Sequence, residues 1–261
     1  MIYGPFSSRR LGLSLGIDIL PAVTKICTYN CSYCEIGFTF LEGYSDINER
    51  VTFPDSFLEY LDENLPTILQ KETELDSITL GYNGEPTLSR NLREIIIKIK
   101  EIRDDSDLNI PISIFSNSST IHDDDICSSL SLVNKVYAKV DSGLQKTFQK
   151  VNEPFPSVPS ISEIIAGLRK FKMNYPGNTL IIQTMLIDGE IGNIEDVNIE
   201  SLAHAYDEIN PDKVDLYTLS QRPANFLAKP VSEEKLHIIE EKIYSIAKRN
   251  FRNKIEIFPF R

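Results

Sequence analysis

The chain has 261 residues, a formal net charge of −11, 41% hydrophobic and 25% charged residues, which is ordinary for a globular protein able to bury a sizeable core. The acidic balance argues against a chain-wide basic surface for nucleic acid or anionic lipid, though not against a local basic pocket. The N-terminus MIYGPFSSRR has no apolar signal core and no stretch approaches ~18 apolar residues, so the expectation is a cytoplasmic protein with no membrane partner.

Short β-rich runs alternate with helical ones along the chain. LGLSLGIDIL (11–20) reads as a strand leading into a cysteine-rich loop. DSFLEYLDENLPTIL (55–69) has helical spacing, with Asp55 as its N-cap. DSITLGYNGEP (76–86) is a short apolar strand ending in a glycine-containing turn, and LREIIIKIKEIR (92–103) is a helix with Leu92, Ile95, Ile96 and Ile99 on one face. IPISIFSNSS (110–119) and VNKVYAKVDSG (133–143) are strands that end in small polar residues. SISEIIAGLRKFK (160–172) is a helix capped by Ser160 or Ser162, and NTLIIQTMLIDG (178–189) is a buried strand. VNIESLAHAYDEIN (197–210) is a helix and KVDLYTLSQRP (213–223) a sixth strand. A final helix opens with Ser232 and two glutamates, which suit a helix N-terminus, and KIEIFPF (254–260) offers a last strand.

Six or more strands, each mostly followed by a helix, predict an α/β fold: a partial (β/α)6 TIM-like barrel with the cysteine loop after the first strand. One domain over 1–261 is expected, with a core of about 10–225 and a C-terminal helix and strand over 232–258. In such barrels the chemistry sits at the C-terminal strand ends. Here those ends read GYNGEP, SNSS, VDSG, LIDG and LSQRP, small and polar as a ligand-binding rim should be.

Three of the four cysteines, Cys27, Cys31 and Cys34, lie within KICTYNCSYCEIG at C-x3-C-x2-C spacing; the fourth, Cys127, is remote. In a reducing compartment, clustered cysteines read as metal-binding or catalytic. A structural zinc needs four ligands, so zinc here would require a distant fourth. An iron–sulfur cluster normally takes four cysteines, and three would leave one iron open for a small molecule. Three unrelated buried thiols are the remaining reading. Cys127 reads as a small buried residue, with a catalytic thiol as the alternative.

CTYNCSYC, with aromatic Tyr33 before the last cysteine, resembles the motif of the radical S-adenosylmethionine (radical SAM) superfamily. LGYNGEPTL resembles that family's Gly-Gly-Glu motif after the second strand, with Asn83 where the first glycine often stands. The segments YGPFSSRRLGLSLGIDILP, KVDSGLQKTFQKVNEP, QTMLIDG and LYTLSQRPA are similar to a branch grouped with the archaeal wyosine-synthase-like radical SAM proteins. The wyosine enzymes carry additional cysteines for a second cluster, which this chain lacks.

The resemblance implies an enzyme with a [4Fe-4S] cluster held by Cys27, Cys31 and Cys34, and S-adenosyl-L-methionine (SAM) as second cofactor. Reductive SAM cleavage would yield a 5′-deoxyadenosyl radical that abstracts a substrate hydrogen, with electrons from a donor such as ferredoxin or flavodoxin. It implies SAM contacts from Asn83, Gly84 and Glu85 at the methionine amine, and from Tyr33 and Leu219, within the 218–220 strand end, at the adenine. Ser116 and Asn117 would reach the carboxylate or ribose, as would Lys139 and Asp141, which alternate on one strand and share a face. Gln183 is a further lumen candidate. Lys139, Asp141 and Arg222 are the candidate catalytic residues; for Lys139 and Asp141 a buried structural pair is the alternative. Arg9 and Arg10 would bind an anionic substrate or pair with barrel carboxylates. A small-molecule substrate is favoured over tRNA, whose phosphates reward Lys and Arg, and over a protein or peptide of the glycyl-radical type. A non-enzymatic iron–sulfur or zinc protein is the reading furthest from these motifs.

Overall fold

The computed structural model describes residues 1–20, 24–39, 50–54, 56–72, 74–220, 227–248, 251 and 254–259. Its main sheet has eight strands in the order β1 (Ile2–Ser8), β2 (Gly12–Ile17), β3 (Ser77–Leu80), β4 (Ile112–Ser116), β5 (Lys135–Lys139), β6 (Thr179–Met185), β8 (Lys213–Tyr217), β10 (Ile255–Phe258). From β2 to β10 every neighbour is parallel. A parallel step needs a crossover, and helices supply each one. They are α1 (Ser56–Lys71), α2 (Leu92–Asp105), α3 (Asp124–Leu130), α4 (Gln145–Asn152) with α5 (Ile161–Asn174), α6 (Asp196–Ile209) and α7 (Glu233–Ile246). β7 (Ile187–Gly189) and β9 (Ala228–Pro230) form a separate antiparallel pair.

The expected α/β barrel is therefore present, extended at both edges. At one edge, residues 2–17 fold as an antiparallel hairpin, so β1 adds a strand that the sequence reading left unassigned. At the other edge β10 joins as the offered last strand. Arg9, in the β1–β2 turn, reaches across to donate from Nη1 to the Pro259 carbonyl at 2.6 Å, linking the two edges. Among the described residues no helix is long and apolar enough to cross a membrane.

Local signals explain the helix starts. Ser160 accepts from the Glu163 amide while Glu163 bonds back to Ser160, a reciprocal capping box that resolves the choice between Ser160 and Ser162. Ser232 caps α7 above Glu233 and Glu234. Asp55 lies outside the described residues.

Alternation then divides each strand between two environments. Val136, Ala138, Leu180, Ile182, Val214 and Leu216 join the helix-facing core, all essentially fully buried. The opposite face carries hydroxyls and charges into the barrel lumen. Ser14 meets Thr79 at 2.7 Å and Ser77 meets Ser113 at 2.9 Å. Lys139, Gln183 and Asp215 follow on β5, β6 and β8, with Gln183 paired in register to both.

Candidate active site at the C-terminal strand ends

The loop after β2 is fastened on two sides. Toward β3, the Ile26 amide donates to the Asn83 carbonyl at 2.9 Å and the Glu85 amide to the Ile26 carbonyl at 2.8 Å. Toward α4, the Asn30 amide donates to Glu153 O at 3.1 Å, Ser32 to Val151 O at 2.9 Å, and Phe155 to Thr28 O at 3.0 Å. Tyr29 packs edge-on against Phe148 of α4, centroids 5.4 Å apart. Each main-chain bond contributes about 1 kcal/mol net. Together they hold the cysteine loop over the strand ends.

Gly84 makes the first seam possible. A Cβ there would sit 1.8 Å from the Ile26 carbonyl oxygen, and its φ of +141° is one that side chains rarely adopt. Gly84→Ala is therefore expected to lose about 2–4 kcal/mol and to detach the loop. Thermal denaturation, with bound iron after reconstitution, checks this; a variant with unchanged melting and iron content would refute the seam.

Cys27 is buried and Cys31 and Cys34 are half-buried. The Asn117 amide nitrogen lies 3.5 Å from Cys27 Sγ and the Asn152 amide nitrogen 3.6 Å from Cys31 Sγ. N–H donors directed at sulfur suit a thiolate that binds metal. Burial pushes the Cys27 thiol up to about 12 and the Cys31 thiol up to about 11. A bound metal cation would reverse that preference, with release of the protons. Among the described residues no three His, Cys, Asp or Glu side chains form a ready-made site for a metal ion. The loop carries three soft sulfur donors, two of them with amide partners, a donor set that fits an iron–sulfur cluster.

Beside the loop, Tyr33 donates its phenol hydroxyl to Asp141 Oδ2 at 2.5 Å, and Asn152 donates to the same oxygen at 2.7 Å. Asp141 Oδ1 accepts the Met185 amide at 2.7 Å and stands 3.4 Å from Lys139 Nζ. Lys139 bonds the Tyr217 hydroxyl, and its ammonium lies 4.8 Å from the Tyr33 ring and 4.6 Å from the Tyr217 ring. Burial alone would lower the Lys139 pKa, but Asp141 and Tyr217 outweigh it and the net shift is upward. Lys139 is thus held as a cation between two aromatic faces. Leu219 packs with Tyr33 and Met185 in a small apolar cluster, and Ser220 Oγ lies 3.4 Å from Glu35 Oε1 on the cysteine loop.

Glu85 is engaged within the chain. Its carboxylate accepts from Thr87 N at 3.1 Å, Thr87 Oγ1 at 2.6 Å, Ser116 Oγ at 3.0 Å and Asn117 N at 2.5 Å. Burial raises its pKa against these four bonds. It ties the end of β3 to the end of β4. Asn83 donates to Asp18 Oδ2 at 2.8 Å, and Asn117 also donates to Thr28 Oγ1 at 2.9 Å.

The structure thus gathers Cys27, Cys31, Cys34, Tyr33, Asn83, Gly84, Glu85, Ser116, Asn117, Lys139, Asp141 and Leu219 at one end of the barrel. Gln183 pairs in register with Lys139 on the lumen face. Arg222 lies outside the described residues. Cys127 sits on α3, its thiol donating to the Ile121 carbonyl at 3.1 Å within the core, and burial pushes its pKa up to about 11. Asn152 and Tyr217 were not anticipated. Asn152 ends a helix with no strong sequence signal. The charged Asp215 within a covered strand was a visible anomaly.

These elements define an α/β-barrel protein whose C-terminal strand ends carry a polar rim capped by a three-thiol loop. A model of the Radical SAM superfamily matches residues 22–197. A UPF0026 protein of Methanocaldococcus jannaschii is 32% identical over 257 residues, 98% of this chain and 74% of that one. A UPF0026 protein of Helicobacter pylori is 32% identical over 237 residues, 90% of this chain and 71% of that one. The chain therefore belongs to the radical SAM superfamily, a superfamily of enzymes, and within it to the UPF0026 proteins. It is also 29% identical to a Brachyspira hyodysenteriae protein named GTPase Obg, covering 90% of this chain but spanning only about a third, 32%, of that one. The chain contains no G-x-x-x-x-G-K-[S/T] phosphate loop.

Among solved structures it is similar to SuiB of Streptococcus suis bound to S-adenosylmethionine (TM-score 0.62, 14% identity, 93% of this chain and 50% of that one). It is also similar to TYW1 with a lysine–pyruvate adduct bound (TM-score 0.60, 13% identity, 91% and 74%). Native anSMEcpe with bound AdoMet gives a TM-score of 0.60 at 15% identity, with 93% and 63% covered. At these identities the likeness is one of fold.

Proposed function

We propose that this protein is a radical SAM enzyme acting on a small molecule. In this reading Cys27, Cys31 and Cys34 hold a [4Fe-4S] cluster and SAM lies along the strand ends between Asn83 and Leu219. The observation that carries it is the three-thiol loop, fastened between the β3 turn and α4 with Asn117 and Asn152 directed at two of its sulfurs. When bound, the cluster and SAM supply one-electron cleavage of SAM and hydrogen abstraction from substrate.

The chain's own residues bind and orient. Asn117 and Asn152 hydrogen-bond the ligand sulfurs and tune them. Tyr33, Leu219 and Met185 form an apolar wall suited to a purine, while Tyr33 OH, Asn152 and Lys139 hold the Asp141 carboxylate in place. Asp141, its two oxygens engaged, positions Lys139, whose ammonium then presents the polar group that a ribose or carboxylate needs. The Asn83–Gly84 backbone supplies close approach to an ammonium. Glu85 acts as the latch beneath it, because its oxygens are already engaged.

The net charge of −11 supports a small substrate over tRNA. The wyosine-synthase-like grouping is supported by motifs and by likeness to TYW1 in fold, and carries no substrate with it. An electron donor such as ferredoxin or flavodoxin completes the scheme. Anaerobically reconstituted protein with dithionite is expected to release 5′-deoxyadenosine from SAM. The absence of both that release and a SAM-induced change in the cluster's EPR signal would sink the proposal.

A further inference from the structure

Away from the rim, a cavity of about 340 Å³ opens between the start of α2 and α3. Arg50, Ser89, Arg90, Arg93, Asp125 and Ser128 line it. None of them belongs to the set gathered over the strand ends. Main-chain bonds bring the first arginines together. The Val51 amide donates to the Leu88 carbonyl at 2.9 Å and the Arg90 amide to the Val51 carbonyl at 2.8 Å. Arg90 Nε then donates to the Arg50 carbonyl at 2.8 Å. Arg93, three residues on, reaches across to α3 and donates from Nη1 to Ser128 Oγ at 3.1 Å.

Three convergent arginines stand out in a chain of net charge −11. Arg50 pairs with Asp123, the N-cap of α3. Arg90 and Arg93 form no ion pair among the described residues, and their other side-chain N–H groups take no acceptor there. Asp125 is the one carboxylate in the described lining. The three guanidinium groups therefore outnumber Asp123 and Asp125, and the cavity keeps a positive balance.

Two further donor groups face the same space unpaired. Ser89 is 1% exposed and forms part of the cavity wall, yet its hydroxyl has no hydrogen-bond partner. Native interiors rarely leave a hydroxyl in that state. The other is the start of α2, a helix of 14 residues with no side-chain cap. Asn91, just before it, accepts the Phe53 amide on Oδ1 at 3.1 Å instead. The Arg93 and Glu94 amides take no acceptor among the described residues. Such an end carries partial positive charge and free N–H groups, which suit an anion.

From this geometry we infer that the cavity binds a phosphate group, free or carried by a small metabolite. Arg90 and Arg93 take its oxygens, since the guanidinium fork matches phosphate. Ser89 Oγ donates to it from the wall, and the first turn of α2 faces it with its amides. The volume is that of a small-ligand site. Exposed Asp125 and the net charge of −11 disfavour an extended polyanion such as RNA, whose binding rewards many cations rather than one compact group of them. The site lies apart from the three-thiol loop, so its occupancy is measurable without turnover.

The test uses the reconstituted full chain with inorganic phosphate, pyrophosphate and glycerol 3-phosphate as probes, and sodium chloride at matched ionic strength as the control. Calorimetry and thermal shift report binding. At least one phosphate compound is expected to bind and, at tenfold its Kd, to raise the melting temperature by about 3–5 °C, with no such rise in chloride. Binding of glycerol 3-phosphate identifies a phosphorylated metabolite, and binding of inorganic phosphate alone identifies the free ion; either supports the inference. Arg90→Ala and Arg93→Ala should each weaken binding at least about tenfold, and Ser89→Ala about two- to fivefold. Both arginines are exposed, so the ligand-free melting temperature of their variants should stay within about 2 °C of wild type. The inference is overturned if no probe binds at millimolar concentration, or if the Arg90→Ala/Arg93→Ala double variant responds as the wild type does, which would mark a general salt effect. Binding of an RNA oligonucleotide with none of the small phosphates would make the pocket part of a nucleic-acid surface and overturn it as well. SAM cleavage by the wild type, measured in parallel, reports on the radical SAM reading separately.

Discussion

Single replacement of Cys27, Cys31 or Cys34 by alanine is expected to abolish 5′-deoxyadenosine release, a loss of more than about a hundredfold, and to lower iron well below four per chain. Removing one thiolate leaves two protein ligands for the cluster. Cys127→Ala should retain iron and activity, because that thiol lies in the α3 core and bonds the Ile121 carbonyl. Its cost should be confined to stability, at about 1 kcal/mol for the small void. Iron analysis and product chromatography on the four variants decide the matter. Full iron in Cys31→Ala, or its loss in Cys127→Ala, would reassign the ligands.

Glu85→Ala should destabilise the chain by about 3–5 kcal/mol and lower its melting temperature by roughly 10 °C. The reason is that its four donors, from Thr87, Ser116 and Asn117, would be stranded in a buried place. Glu85→Gln keeps the shape and accepts through one oxygen, so it should recover much of that loss. The pH dependence has a definite sign. Burial raises the folded pKa of Glu85 above its unfolded value, so the native state holds its proton more tightly over that interval. The side chain's contribution to stability, carried by its protonated form, is thus greatest below the unfolded pKa and falls as pH rises through the folded one. Thermal melts of wild type and Glu85→Gln from acid to neutral pH should converge at neutral pH relative to the acid end. If Glu85→Ala instead melts as the wild type and loses only SAM affinity, Glu85 is a ligand contact rather than a latch.

The barrel was legible because its causes are local. Continuous apolar runs such as 180–182 and helix caps such as Ser160 report on their own neighbourhoods. β1 escaped because residues 2–8 alternate little and pair only through the hairpin. α4 escaped because an eight-residue helix depends on the packing of Phe148 and Val151 rather than on propensity. Asn152, at its end, could not be linked to Cys31 from a separation of 121 residues.

By itself, then, the sequence determined the α/β alternation, the three-thiol loop and the polar strand ends, since each follows from periodicity or spacing within a short window. Only the tertiary structure decided which polar residues are free to serve a ligand. It commits Glu85 to four bonds and clasps Lys139 between Tyr33 and Tyr217. Partnership across the sheet depends on register between strands distant in sequence, and no local pattern encodes whether a buried donor has found its acceptor.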